Sequence, residues 1–222
     1  RVLIEPSGIF DVDEFFDILR EEPLDRWYEI GSVYTIVDAG LNTDLSESSR
    51  YMLAQQAACA GKIVMSRTQC VSPEKEKETE DFLQKVLAEF QCSRSLEHDI
   101  YRKDWNKMND SDFQELTKSG YRTEKCGKLW IDQREAYTSV YYMNLPIQET
   151  ELKDAAEKIL KDKECGKVFR IKGFLKKGDG SWLELNITHD QMSVEPIPKG
   201  QEVIIVIGEQ LNQEKINRYL GK

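Results

Sequence analysis

The sequence predicts an α/β chain in which a partial parallel sheet with helices is followed by a smaller α+β domain, ferredoxin-like or related. In the first part, short β-branched runs alternate with helical segments, which is typical of a parallel sheet. Two of these runs end in an acid, Glu5 and Asp38, that is followed by small residues. Beyond Trp130 the pattern changes to alternating strands and a tight turn. We therefore expect two domains, spanning residues 1–128 and 129–222.

The opening eight residues predict a buried strand that ends in a polar turn. Ligands of open α/β sheets bind beyond the carboxyl ends of such strands. Glu5 would then help to hold a Mg²⁺ ion, and the N–H of Gly8 would be open to a phosphate oxygen. We therefore predict Glu5 and Gly8 as catalytic residues. The alternative is a plain connection to the next helix, with Pro6 turning the chain and Ser7 or Asp11 capping the helix.

The next segments alternate between helix and strand. The spacing of apolar residues predicts a short helix over residues 11–20, and residues 33–38 form a second β-branched run. Ser46 is suited to cap a helix of small residues that ends before Gly61. Residues 62–66 predict a third strand. Three strands that alternate with helices predict a parallel sheet with right-handed crossovers.

The remaining elements are predicted from charge and periodicity. The charged run at 73–81 predicts the solvated start of a helix. Between Cys92 and Lys128 the pattern is weak, apart from a helical segment. That segment is a helix at 110–118. The elements predicted after Lys128 are a strand at 136–145, a helix at 149–162, strands at 168–176, 182–188 and 203–207, and a helix at 211–220.

Composition restricts the classes of function. The 222 residues have no apolar run near the roughly 20 residues of a membrane helix, and no secretory signal opens the chain. The net charge of -9, with scattered basic residues, argues against nucleic acid as a partner. Five cysteines without a Cys-x-x-Cys pair indicate a reducing, cytoplasmic compartment.

Two further features concern metals and the start of the chain. We expect His98 and His189, the two histidines, at surface or capping positions, and we predict no metal-binding residues. The chain begins without Met, inside a predicted strand. This beginning suggests the carboxyl-terminal part of a longer protein.

Several segments resemble, in the same order, the CobW-type GTPases. The segments are residues 4–8 (Ile-Glu-Pro-Ser-Gly), 36–39 (Ile-Val-Asp-Ala), 56–69, 168–174 (Val-Phe-Arg-Ile-Lys-Gly-Phe) and 206–211. Those GTPases are P-loop proteins implicated in metal delivery and in cobalamin-related metal insertion. The resemblance implies that the first domain is part of a P-loop-type GTPase domain and that the second is a CobW-type carboxyl-terminal domain.

The resemblance also implies roles for particular residues. Glu5 and its neighbours would correspond to the family's switch segment near Mg²⁺, and Ser66, Arg67, Thr68 and Gln69 would bind the nucleotide base. The family usually carries Asn-Lys-x-Asp at that place. A terminal Asp accepts both N–H donors of guanine, whereas the carboxamide of Gln69 offers one acceptor and a competing NH₂ donor. Either Gln69 still reads a base or the nucleotide selectivity is relaxed.

Two family motifs do not occur in this sequence: the Gly-x4-Gly-Lys-Ser/Thr phosphate loop and a Cys-x-Cys-Cys metal motif. Both would precede Arg1 in the family's order, so we expect a missing amino-terminal segment. By resemblance, the intact protein would bind GTP and Mg²⁺, act as a GTPase, and deliver Zn²⁺ or Co²⁺ to a client metalloprotein or a cobalamin-pathway protein. We expect no hydrolysis of GTP by this chain alone.

Two other interpretations stay open. A non-catalytic binding or regulatory module with a degenerate nucleotide site would also lack the phosphate loop. A receiver-like sheet would use Glu5 and Asp38 as paired acids, with Ser66 or Lys62 as its switch partner. The receiver interpretation leaves the second domain unexplained.

Overall fold

The structure is a computed structural model, and it describes residues 1–6, 10, 12–127, 138–189 and 191–222. The chain divides into two compact units, Arg1–Ile131 and Asp132–Lys222. We call them the amino-terminal unit and the carboxyl-terminal unit and describe each by itself. No helix in these ranges is both long enough and apolar enough to cross a membrane.

The described part of the amino-terminal unit contains a parallel sheet and four helices. Its elements are α1 (Val12–Arg20), β1 (Tyr34–Asp38), α2 (Glu47–Cys59), β2 (Lys62–Ser66), α3 (Pro73–Glu89), β3 (Ile100–Arg102) and α4 (Asp110–Leu116). Strand β2 lies between β1 and β3 and pairs in parallel with both. The predicted parallel sheet with helices is therefore confirmed.

The prediction of a strand at the start of the chain is wrong for residues 1–6, which the structure describes. Residues 1–6 form no strand, and the side chains of Val2, Leu3 and Ile4 are between 57% and 89% exposed. The third strand is instead β3, from a stretch whose sequence pattern is weak. An apolar run becomes a buried strand only where other strands pair with it and helices cover it. No strand in the described ranges pairs with residues 1–6.

The sheet of the amino-terminal unit packs against α2 and α3. Strand β1 alternates, with Thr35 and Val37 buried and Tyr34 and Ile36 exposed, so one of its faces lies on the core. The alanines and Cys59 of α2 permit close packing and are at most 5% exposed. The core residues of the two helices are Tyr51, Ala54, Ala57, Ala58, Leu83, Val86 and Leu87. As predicted, Ser46 caps α2, since its hydroxyl oxygen accepts a hydrogen bond from the N–H of Ser49 at 3.2 Å.

A buried arginine holds the end of α2. Arg94 is 4% exposed and donates hydrogen bonds to the carbonyl oxygens of Ala57 and Ala58 and, at 2.8 Å, to Oδ2 of Asp99. The last carbonyl groups of a helix have no partners within the helix, so the guanidinium supplies the missing donors. Arg122 also donates to Asp99, at 3.0 Å. Burial works to raise the pKa of Asp99, but the hydrogen bonds and charges of Arg94 and Arg122 outweigh it and lower that pKa.

The carboxyl-terminal unit is an antiparallel sheet with two helices packed into its core. Its elements are β4 (Thr138–Met143), α5 (Glu149–Lys161), β5 (Lys167–Lys176), β6 (Trp182–Thr188), β7 (Met192–Ile197), β8 (Val203–Glu209) and α6 (Gln213–Leu220). The strand order is β4-β8-β5-β6-β7, and every neighbouring pair is antiparallel. Leu152, Ile159 and Ile216 of the helices share one core with Ile171, Leu185 and Ile204 of the strands. The predicted α+β class of this unit is confirmed.

We predict that Arg94→Met lowers the free energy of unfolding by about 3 kcal/mol, because it leaves two buried carbonyl groups and part of a buried carboxylate without donors. Arg122→Met is the matched control. The side chain of Arg122 is 46% exposed and binds the same carboxylate, so its loss should cost less than about 1 kcal/mol. Urea denaturation measures both values, and equal losses would contradict the structural role of Arg94.

The lowered pKa of Asp99 also predicts how stability depends on pH. A carboxyl whose pKa is lower in the folded state contributes stability above its unfolded pKa of about 4, and this contribution is lost as the pH falls through the folded pKa. The difference in free energy of unfolding between the wild type and Asp99→Asn should therefore shrink as the pH falls below about 4. Urea denaturation at a series of pH values measures this difference, and a constant difference would contradict the assignment.

Candidate functional site

The candidate site lies where β1 and β2 end side by side. Asp38, the last residue of β1, pairs in register with Ser66, the last residue of β2. Because the strands are parallel, the loops that begin at Ala39 and Arg67 leave the sheet at the same edge. Carboxyl ends of parallel strands are where ligands bind in open α/β sheets. The structure thus brings the predicted base-binding segment to the acid that ends β1.

The carboxylate of Asp38 has a partner for each of its oxygens. Oδ1 accepts a hydrogen bond from the N–H of Gly40 at 2.9 Å, and Oδ2 accepts one from the guanidinium of Arg67 at 3.1 Å. The side chains of Asp38 and Arg67 are 39% and 41% exposed. An ion pair this exposed contributes less than about 1 kcal/mol. The pair connects the loop after β1 to the loop after β2, but it is too weak to hold either loop in one conformation.

The backbone at Arg67 has an unusual conformation. Its φ of 58° lies in the left-handed region, which non-glycine residues rarely occupy. The next residues form a single 3₁₀ turn, Thr68–Cys70, and the N–H of Cys70 donates to the carbonyl oxygen of Arg67 at 2.9 Å. Gln69 lies in this turn and is exposed. The turn therefore leaves Gln69 exposed, two residues after the Arg67 that pairs with Asp38.

Hydrogen bonds of Ala39, Ser66 and Thr79 hold the backbone at this edge. Ala39 has no exposed surface, and its N–H donates to the carbonyl oxygen of Ser66 at 2.8 Å. Its own carbonyl oxygen accepts a hydrogen bond from the hydroxyl of Thr79 on α3, also at 2.8 Å. Thr79 is completely buried. The hydroxyl of Ser66 donates to the carbonyl oxygen of Val37 at 3.2 Å, which ties the end of β2 to β1.

Glu5 and Gly8 are the two residues predicted near Mg²⁺ and phosphate. Glu5 is exposed and does not end a strand, because residues 1–6 form none. Gly8 lies outside the described residues. The roles of Glu5 and Gly8 therefore stay predictions from sequence. Thr79 is the supporting residue that sequence analysis missed, although it carries the single side-chain hydroxyl in the charged run at 73–81.

The buried and partly buried thiols of the amino-terminal unit are not reactive groups. Cys59 and Cys92 are buried, and Cys126 is partly buried. Burial raises the pKa of Cys59 and of Cys126 to about 12, so both thiols stay protonated at neutral pH and are poor nucleophiles. Within the described ranges, no group of three His, Cys, Asp or Glu side chains has the geometry to hold a metal ion. A metal site is therefore not assigned to these residues.

We predict that Thr79→Val lowers the free energy of unfolding by about 1–3 kcal/mol, because it leaves the buried carbonyl group of Ala39 without this donor. Thr117→Val is the matched control, since Thr117 also bonds a carbonyl oxygen, that of Gln114, but is exposed. The control should change the free energy by less than about 0.5 kcal/mol. Thermal and urea denaturation measure both variants, and a neutral Thr79→Val would show that the edge does not depend on this bond.

Two family models match the chain. The model of the CobW/HypB/UreG nucleotide-binding domain matches residues 1–94, and that of the cobalamin synthesis protein cobW C-terminal domain matches residues 138–222. The two matches occur in the order that the sequence resemblance implies, and together they cover most of the chain. The candidate site lies within the first match.

Two solved structures are similar to the chain. The zinc-bound YjiA GTPase from E. coli is 19% identical over 95% of this chain and 67% of that one, with a TM-score of 0.37. A zinc-bound triple mutant of YjiA GTPase is 18% identical over 96% of this chain and 68% of that one, with a TM-score of 0.36. Among curated proteins, none matches the chain.

Proposed function

Because this chain belongs to the CobW family, we propose that it takes part in the nucleotide-controlled delivery of a metal ion, with GTP as the nucleotide. One observation carries the proposal. Asp38 and Ser66 end neighbouring parallel strands, and the polar loops that follow them lie together at the carboxyl edge of the sheet. This edge belongs to the span that the nucleotide-binding family model matches.

The residues at this edge fit the base end of a nucleotide. The guanidinium of Arg67, the hydroxyl of Thr68 and the carboxamide of Gln69 are polar groups on one exposed or partly exposed turn. A purine base is recognised by donors and acceptors along its edge. The loop that carries these groups must itself be held in place. Ala39 and Thr79 supply that support through their buried hydrogen bond.

Phosphates and Mg²⁺ would be handled by other residues. By family resemblance, we propose that Glu5 orients Mg²⁺ or its waters and that the N–H of Gly8 contacts the terminal phosphate. When bound, Mg²⁺ would supply charge neutralisation for the phosphates. Glu5 ends no strand in the described residues and Gly8 lies outside them, so this half of the site rests on sequence alone.

The delivered metal ion is cargo and not a resident cofactor. We propose Zn²⁺ or Co²⁺, delivered to a client metalloprotein, and the name of the matched carboxyl-terminal domain supports a link to cobalamin synthesis. The described residues hold no three-ligand group for such an ion. The cargo's ligands are therefore not assigned to any of the described residues.

The proposal predicts that a purine nucleotide binds at the edge formed by β1 and β2. Titration of the ¹⁵N-labelled chain with MgGTP should shift the amide signals of Gly40 and of residues 67–69, whereas inorganic triphosphate should leave these signals in place. Arg67→Ala should weaken binding by about tenfold, because it removes a charged donor and leaves the carboxylate of Asp38 without its cation. NMR chemical-shift titration measures both effects.

Arg26→Ala is the matched control for this experiment. Arg26 also forms an exposed ion pair, with Glu22 at 2.5 Å, but it lies in the segment after α1. Its removal should leave the affinity for MgGTP unchanged. If millimolar MgGTP shifts no signal of residues 38–40 or 66–69, the alternative of a non-catalytic module without nucleotide control is favoured instead.

A further inference from the structure

We propose that this site accepts adenine nucleotides as well as guanine nucleotides, with the carboxamide of Gln69 in contact with the base. The inference rests on the proposed function, because it requires a nucleotide to bind at the edge formed by β1 and β2. The donors and acceptors on the edge of each purine decide which side-chain groups a selective site must offer.

Guanine is distinguished from adenine by neighbouring N–H donors. Its N1–H and exocyclic NH₂ point the same way, so a selective site needs two acceptors side by side, as a carboxylate provides. Adenine instead presents an NH₂ donor beside the N1 acceptor. A carboxylate at the base edge therefore favours guanine, and a carboxamide suits adenine.

In the described part of this edge, the carboxylate of Asp38 already accepts hydrogen bonds. Both oxygens of Asp38 have partners, the N–H of Gly40 at 2.9 Å and the guanidinium of Arg67 at 3.1 Å. Turning the carboxylate towards a base would break both bonds and leave the cation of Arg67 without this partner. The hydroxyl of Ser66 is engaged too, since it donates to the carbonyl oxygen of Val37. Asp38 is therefore less available than a carboxylate without partners as the acceptor pair that guanine requires.

Gln69 carries the carboxamide at this edge that can pair with a base. It is exposed, and the left-handed conformation of Arg67 together with the following 3₁₀ turn fixes its backbone. Its carboxamide oxygen can accept from the NH₂ of adenine while its NH₂ donates to N1, which is a bidentate pair. It can also pair with O6 and N1–H of guanine, which leaves only the exocyclic NH₂ of guanine without a partner. The two purines are therefore both accommodated.

The test measures the affinities of the 222-residue chain for MgATP and MgGTP by NMR titration or calorimetry. The wild type should bind the two nucleotides with affinities within about threefold of each other. Gln69→Asp should shift the affinity ratio towards MgGTP by about tenfold or more, because a bidentate pair discriminates between bases by about 1–3 kcal/mol. Gln69 is exposed, so the variant should keep the circular dichroism spectrum and thermal midpoint of the wild type.

Gln114→Asp is the matched control, because it introduces the same charge at an exposed position on α4. It should leave the ratio of the two affinities unchanged. A wild type that prefers MgGTP by more than about tenfold would overturn this inference and leave the proposed function intact. An unchanged ratio in Gln69→Asp would overturn the assignment to Gln69. The absence of binding by either nucleotide would overturn the proposed function together with the inference.

Discussion

The parallel pairing of β1 with β2 is the constraint on which the candidate site depends. The register runs from Tyr34 opposite Lys62 to Asp38 opposite Ser66, so both strands end at the same height. A slip of one residue would turn the buried side chain of Val37 to the exposed face, and burial therefore fixes the register. The hydrogen bond from Ala39 N–H to the carbonyl oxygen of Ser66 continues the pairing past the end of β1. The contact between Asp38 and Arg67 follows from this alignment.

The elements that could be predicted from sequence are those whose local residue pattern, such as an apolar run or a capping residue, matches what the structure buries. Lys62–Ser66 was predicted with its observed bounds from three consecutive apolar residues between Lys62 and Ser66. The structure buries all three of them. Helix α2 was predicted because Ser46 caps it and its small residues pack closely. The apolar run at residues 2–4 looks equally strand-like, yet no described strand pairs with it. A strand depends on partners elsewhere in the chain, and local composition does not reveal them.

Short and edge strands were harder to predict for physical reasons. Strand β3 has three residues, which are too few to show alternation. It forms by pairing with the side of β2 that β1 does not occupy. Strand β7 contains Pro196, which favours a break in the sequence pattern, but β7 is the last strand of its sheet and pairs on one side only. Edge strands tolerate proline because one row of their N–H groups needs no partner within the sheet. The backbone of Arg67 was equally hidden, because it is left-handed, a conformation that arginine does not favour.

The charges at the end of β1 offset one another locally, although the chain as a whole is acidic. The protein carries a net charge of -9, and a carboxylate without a partner at the end of β1 would add negative charge to this edge. Arg67 and the N–H of Gly40 offset that charge locally. Because Asp38 and Arg67 are each about two-fifths exposed, solvent screens their attraction and keeps it weak. A polar ligand group at this edge can therefore compete with Asp38 for the guanidinium at little cost in free energy, whereas a buried pair would have to be broken first.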